Sequence, residues 1–406
     1  MINKKLPKDW KIVKVGKYVI STKGKKPKRI SKEKTNECYL PYVNIKAFEK
    51  GIVDEYTDGV GCVICEEGDF LMVWDGSRSG YVGKAIKGAL GSTLVRLNFP
   101  DLENNYAYYF LQSKYIEINT RAKGVGIPHV DPNLLWNYYL LIPPLETQQA
   151  IVSKIEELFS ELDKGIEDLK TAQQQLKTYR QSVLKWAFEG KLTNENVKEG
   201  ELPEGWEMVN MSKVIEKPKY GTSKKCDYTI KGIGVLRIPN IAKGIVDSTD
   251  LKFAKFDEKE IETYSLKEGD ILTIRSNGSV DLVGKCALIS KKDEGYLYAG
   301  YLIRLRPIIN KVNPKYLINI LTSIDLRNQI EEKAKSTSGV NNINSEELST
   351  LKIQLPPIEE QHRIVQEIES RLSVADKMEE SIAQSLQQAE ALRQSILKKA
   401  FSGELV

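Results

Sequence analysis

Arg180–Gln181–Ser182–Val183–Leu184–Lys185–Trp186–Ala187–Phe188–Glu189–Gly190–Lys191–Leu192 returns near the other end of the chain as Arg393–Gln394–Ser395–Ile396–Leu397–Lys398–Lys399–Ala400–Phe401–Ser402–Gly403–Glu404–Leu405. Each copy closes a long pattern of polar and apolar residues. That pattern begins at Ile142–Pro143–Pro144 in the first case and at Leu355–Pro356–Pro357 in the second. From Gly126 and Gly339 onward, the two copies keep one offset of 213 residues without insertion. A repeat of this size is too large for a solenoid unit and reads as a duplicated domain plus helix.

The helical stretches carry the strongest local signal. From Glu146 to Glu189 there is no proline, and Gly165 is the single breaker. Apolar residues recur at alternating four- and three-residue steps through Ile151, Ile155, Leu158, Leu162, Leu169, Ala172, Leu176, Tyr179, Val183 and Trp186. That is a heptad seam, with Gly165 in a core position. The second copy places Ile364, Ile368, Ala375, Met378, Ile382, Ala389, Leu392 and Ile396 on its seam. About 40 residues at 1.5 Å each make a rod of roughly 60 Å. A stripe that long exceeds what a small domain can cover, so the two helices are expected to pack on each other.

Outward from the helices, the two halves open alike. Leu6–Pro7–Lys8–Asp9–Trp10 matches Leu202–Pro203–Glu204–Gly205–Trp206. Glu67–Gly68–Asp69–Phe70–Leu71–Met72–Val73–Trp74 matches Glu268–Gly269–Asp270–Ile271–Leu272–Thr273–Ile274–Arg275, each a turn feeding a buried strand. Both strands run into a polar tip and resume at Val82–Gly83–Lys84 and Val283–Gly284–Lys285. A shorter helix follows, 106–118 in one half and 314–333 in the other. The expected class is α+β: two repeated mixed α/β domains separated by a long antiparallel two-helix coiled coil. The divisions are 1–145 and 202–358 for the domains, 146–192 and 359–406 for the helices, and 193–201 for a linker.

With 41% apolar and 28% charged residues, both halves can bury a core. The net charge of +5 is compatible with a polyanionic partner. No stretch reaches the roughly 18 apolar residues of a membrane span. Five cysteines, an odd number, and an opening segment without an apolar core point to a reducing cytoplasm.

No catalytic constellation emerges. The two histidines, His129 and His362, align through the repeat with Asn342 and Gln149 and read as structural or contact residues. Gly83–Lys84 and Gly284–Lys285 lack the first glycine and the Ser or Thr of a phosphate loop. The Pro–Pro sites lack the Asn or Asp and the aromatic of amino-methyltransferases; they read as strand ends that launch the helix. Cys62–Val63–Ile64–Cys65 has metal-ligand spacing but no second pair and no close His, so a buried strand is the better reading.

Basic and hydrogen-bonding residues instead gather at matched loops. Lys25 and Lys26 lie in one Gly/Pro-containing run, and Lys217, Lys219, Lys224 and Lys225 surround Gly221 in the other half. The strand tips carry Ser77, Arg78 and Ser79, with Lys84 beyond, and Arg275, Asn277 and Ser279, with Lys285 beyond. The loops before the last strand carry Arg121 and Lys123, and Lys335 and Ser338. Arg and Asn on glycine-shaped loops can reach base edges, and Lys can hold phosphate. For any single Lys an ordinary solvated surface is the simpler account. Recurrence at equivalent places with different side chains favours a shared scaffold that reads two different sequences.

At this point the chain resembles the specificity subunit of type I restriction–modification systems over essentially its full length. The resemblance rests on Pro143–Pro144–Leu145–Glu146–Thr147–Gln148–Gln149 with Arg180–Gln181–Ser182–Val183–Leu184. The second half repeats it with Pro356–Pro357–Ile358–Glu359–Glu360–Gln361 and Arg393–Gln394–Ser395–Ile396–Leu397–Lys398–Lys399–Ala400–Phe401–Ser402–Gly403. It implies two target-recognition domains on double-stranded DNA, each reading half of a bipartite asymmetric site, with a gap set by the helices. It implies partners too: two modification subunits that bind S-adenosylmethionine and methylate adenine, and restriction subunits that use ATP and magnesium. The chain itself is then expected to be non-catalytic and to hold no cofactor. Arg78, Arg275 and Asn277 are the expected base readers. Lys84, Lys285, Arg121 and Lys335 are the expected phosphate contacts. A self-sufficient methyltransferase or nuclease with degenerate motifs, and a coiled-coil scaffold that does not read DNA, are the competing readings.

Overall fold

The computed structural model describes residues 9–194, 197–198, 200–334 and 340–405. It divides into two compact units: Met1–Lys170 with Ala383–Val406, and Thr171–Ile382. Each long helix, Leu145–Phe188 and Ile358–Ser402, gives one half to each unit.

In the first unit, a four-stranded antiparallel sheet runs in the order Ile20–Lys23, Leu94–Asn98, Phe70–Val73, Val82–Lys84. A second sheet pairs Leu40–Val43 in parallel with Gly88–Leu90 and is flanked by Tyr56–Thr57 and Ile64–Cys65. Phe70–Val73 is buried along its whole length, which is why it reads as a continuous apolar run. Lys11–Lys14 pairs with Tyr139–Ile142, the strand that ends at Pro143–Pro144 and launches the long helix.

The second unit repeats this plan with Lys219–Tyr220, Leu302–Leu305, Ile271–Ile274 and Cys286–Leu288 in one sheet. Ile233–Leu236 pairs in parallel with Leu297–Tyr298, and Glu207–Asn210 pairs with Lys352–Leu355 ahead of the second long helix. The packing helix differs. Asn104–Thr120 is continuous, whereas its counterpart breaks into Pro314–Leu321 and Ile324–Ala334, where the Ser323 hydroxyl accepts from Leu326 N and starts a new helix.

The duplicated motifs now have a physical meaning. Gln148 and Gln361, both buried, make the same pair of bonds. The amide of Gln148 accepts from Glu103 N at 3.0 Å and donates to Pro143 O at 2.9 Å. Gln361 accepts from Asn313 N at 2.8 Å and donates to Pro356 O at 2.9 Å. One side chain thus clips the start of the packing helix to the end of the last strand. The buried hydroxyls of Tyr106 and Tyr316 donate to Leu141 O and Gln354 O and tie the same elements together. At the helix ends, Gly190 (φ 76°) and Gly403 (φ 75°) take the left-handed conformation that stops a helix. The space beside them is taken by Trp206 and Trp10, so the tryptophan of each opening motif packs on a helix end in its unit.

Within each unit the two helix halves run antiparallel. Ile151, Ile155 and Phe159 share a core with Ile396, Leu397 and Ala400, and Val183, Leu184 and Ala187 share one with Ile364, Val365 and Ile368. Arg393 pairs with Asp163 in the first unit and Arg180 with Asp376 and Glu379 in the second. Leu158, Leu162, Leu169, Leu176 and Ile382 are half-buried along the seam. Met378 and Leu392, expected on the seam, are 52% and 51% exposed, and Tyr179 and Trp186 are exposed as well. On the second helix one heptad position, Ile368, Ala375, Ile382, Ala389 and Ile396, is buried or half-buried throughout, while the other is buried at Ile364 and exposed at Met378 and Leu392. Met378 and Leu392 lie three residues beyond the buried Ala375 and Ala389, at the rim of the seam. Gly165 is likewise exposed rather than packed.

Candidate nucleic-acid interface

Chain direction in the central sheet brings each strand tip against the loop that precedes the last strand. In the first unit, Gly76 N donates to Pro128 O at 2.8 Å and Val130 N to Trp74 O at 2.9 Å. Lys123 and His129 exchange backbone bonds of 2.9 and 2.7 Å, closing the 123–129 loop. Asn119 donates to Ser77 O and Ser79 O, both at 3.0 Å, and so fixes the tip from the packing helix. Lys23 from the first strand pairs with Asp75 at 2.8 Å.

The second unit makes the corresponding contact as a short ladder, Ser276 with Asn342 and Asn277 with Asn341. Ile343 N donates to Arg275 O, and Asn341 donates to Gly278 O. His129 and Asn342, equivalent in the repeat, therefore occupy the same place: each pairs with the first part of its tip.

The side chains on this shared frame differ. Arg78 lies over the Tyr81 ring at 4.0 Å and pairs with Glu49 at 3.1 Å, so it is held against the domain. Arg275 lies 4.8 Å over Tyr220, whose hydroxyl accepts from Ser345 N, and its guanidinium has no carboxylate partner among the described residues. Ser77, Ser279, Lys25 and Lys26 are exposed. Arg121 is exposed beside Glu117, and Lys123 pairs with Asp131 at 2.8 Å. Asn277 is half-buried, its amide oxygen accepting from Ser279 N. Lys335 and Ser338 lie outside the described residues.

Two expectations are corrected. Ser79 is fully buried beneath the tip, because the turn at Gly80 folds it under Asn119. Lys84 and Lys285 are not equivalent. Met72 pairs with Val82, but Thr273 pairs with Cys286, so the register matches Lys84 with Leu288 and Tyr81 with Lys285. The second tip is longer and absorbs the difference in the 3-10 turn Val280–Leu282. Lys84 instead turns to the packing helix, donating to Asn105 at 2.7 Å and lying 5.0 Å over Tyr108. Burial there draws its ammonium below the usual range, against the pull of Glu103 and Glu156.

Sequence reasoning missed Glu49, Tyr220, Asn341 and Asn342. Only the last was within reach, through its repeat partner His129. Cys65 packs as a small hydrophobe: its thiol donates to Gly88 O and is pushed up to about 11 by burial. Among the described residues, no helix is long and apolar enough to cross a membrane.

A family model described as the type I restriction modification DNA specificity domain matches residues 7–171 and 203–389. The specificity subunit of the type I restriction enzyme EcoKI from Escherichia coli (strain K12) is 32% identical over 290 residues, 71% of this chain and 62% of that protein. The MjaVIII specificity subunit of Methanocaldococcus jannaschii is 27% identical over 408 residues, 99% of this chain and 94% of the relative. Among solved structures, a chain from a study of assembly and conformational transition of the type I R-M system superposes with a TM-score of 0.74 at 21% identity, covering 99% of this chain and 100% of that one. The HsdS subunit of Thermoanaerobacter tengcongensis gives a TM-score of 0.56 at 20% identity, with 99% of both chains covered. These two structural likenesses show a shared fold.

Proposed function

The chain belongs to the type I restriction modification DNA specificity family, and on that premise we propose that it is the DNA-reading subunit of a type I restriction–modification enzyme. The observation that carries this is the interface built twice. One frame, clipped by Gln148 or Gln361, presents a strand tip and a neighbouring loop whose side chains differ between the units. A constant frame with variable tips is what two readers of unlike half-sites require, since bases are told apart by side-chain type while the backbone placement stays general.

In this reading each unit reads one half of a bipartite asymmetric site on double-stranded DNA, and the long helices set the gap and dock the partners. The chain carries no catalysis of its own. Two modification subunits supply S-adenosylmethionine and adenine methylation, restriction subunits supply ATP- and magnesium-dependent translocation and cleavage, and the assembly works in the cytoplasm. The test is to reconstitute the chain with modification subunits and map methylated bases across a random DNA library. A split motif with a fixed gap is the expected result. Assembly without sequence-specific methylation would leave only a scaffold, and methylation or cleavage by the purified chain alone would make it an enzyme.

A further inference from the structure

We propose that the second unit holds one backbone phosphate of the duplex in a recess formed by Lys243, Lys285 and Arg327, beneath its strand tip. The recess has a volume of about 280 Å³ and is also lined by Gly244, Gly284 and Thr322. Three cationic side chains from three different elements converge on it: the turn after Ile238–Ile241, the return from the tip, and the helix Ile324–Ala334. Lys243 and Lys285 make no ion pair among the described residues, and no carboxylate lines the recess. Two acids lie nearby outside the lining: Asp247, close enough to Lys243 to feel its charge, and Glu331, which pairs with Arg327 at 3.0 Å along the same helix. Arg327 also donates to Val283 O at 2.6 Å, which holds it in place.

Glycine makes this arrangement possible. Gly284 has φ 78°, and a Cβ there would fall 2.5 Å from Ile330 and 3.1 Å from the Arg327 guanidinium. Unbalanced like charges around a concave site raise the local potential and favour an anion. Two ammonium groups with a fixed guanidinium match the charge and hydrogen-bond demand of a phosphate.

In the first unit the chemistry at the equivalent place differs: Tyr81 stands where Lys285 does, and the neighbouring Arg78 pairs with Glu49 on the short helix Ile45–Lys50. Ile274 N bonds Lys285 O, which sets Lys285 across from the residue before Arg275, so a phosphate there would register the tip on the bases.

This inference rests on the DNA-reading function proposed above, and its test separates the two. The complex with modification subunits is assembled with wild-type chain and with Lys243→Ala/Lys285→Ala, and binding to the mapped duplex is followed across salt concentration. Both lysines are surface residues, and unchanged circular dichroism checks the fold. The double variant is expected to lose affinity about tenfold, uniformly over sequences, with the log–log salt slope shallower by about one. Neutral methylphosphonates walked along the duplex should weaken the wild type at one position to which the variant is indifferent. In a second arm, inorganic phosphate is titrated onto both proteins and followed by thermal shift. Phosphate protection lost in the variant, with no change in salt slope, would assign the recess to a free anion and overturn the duplex proposal. A variant that matches wild type in both arms would overturn the recess altogether. Wild-type complex with no salt-dependent duplex binding would instead sink the DNA-reading function, and the phosphate arm would still read the recess.

Discussion

The first and second units hold their turn aspartates very differently, although the turns are the same Glu–Gly–Asp. Asp270 is buried and gripped by Arg306 through two bonds of 2.7 Å. Asp69 makes one 3.3 Å contact to Arg96, and both side chains are about a third exposed, at 31% and 34%. The duplication has thus kept the backbone frame while the polar chemistry attached to it has diverged, even at positions remote from the tips. The tips follow the same rule: Arg78 is closed against Glu49, and Arg275 is left over Tyr220 without a carboxylate. A frame that tolerates such replacement is one on which two recognition surfaces can evolve independently.

The sharpest way to break this comparison is at the aspartates. Asp270→Asn should destabilise the second unit by about 3 kcal/mol, because it strands the charge of Arg306, whose side chain is only 20% exposed. Asp69→Asn should cost under about 1 kcal/mol, since that pair is solvent-screened. Urea unfolding with hydrogen exchange resolved by unit would read both, and equal losses would contradict the contrast. Where the frame is shared, the effects should instead match. Gln148→Ala and Gln361→Ala should each cost about 2 kcal/mol by orphaning a buried N–H and a buried carbonyl. A large inequality between them would show that the clip is not a common device.

The smallest expected effect concerns the helices. Met378→Ser and Leu392→Ser should change stability by no more than about 0.5 kcal/mol, as substitutions at exposed rim positions do. Ile368→Ala, on the buried line, should cost about 3 kcal/mol. Thermal unfolding of the three variants decides whether stability rests mainly on the line through Ile368 or on the wider stripe that the sequence suggests.

Much of the frame was legible in the sequence, because its signals are local and stated twice. The helix starts at Pro143–Pro144 and Pro356–Pro357, the glycine stops and the buried strands Phe70–Val73 and Ile271–Ile274 all follow from short-range chemistry. The candidate interface was legible only as a set of loops. That the tip meets the loop before the last strand depends on sheet order, and Arg78 finds Glu49 through tertiary folding that no spacing encodes. The false match of Lys84 with Lys285 came from aligning Val–Gly–Lys by letters. A longer tip shifted the strand register behind it, and similarity of sequence hid the shift. Ser79 was misplaced for a related reason: a turn at Gly80 decides which side of the tip faces inward. Met378 and Leu392 obeyed the heptad, but heptads do not say whether both seam positions stay covered along the whole helix.

In the proposed function one frame carries two independent readers. Its most direct test maps methylated bases with the reconstituted complex carrying Arg275→Ala, and in parallel Arg78→Ala. Relaxation confined to one half of a split motif for Arg275→Ala, by about 1 kcal/mol of base discrimination, with the other half and the gap unchanged, is the predicted result. Relaxation of both halves together, or a shift in the gap, would contradict it.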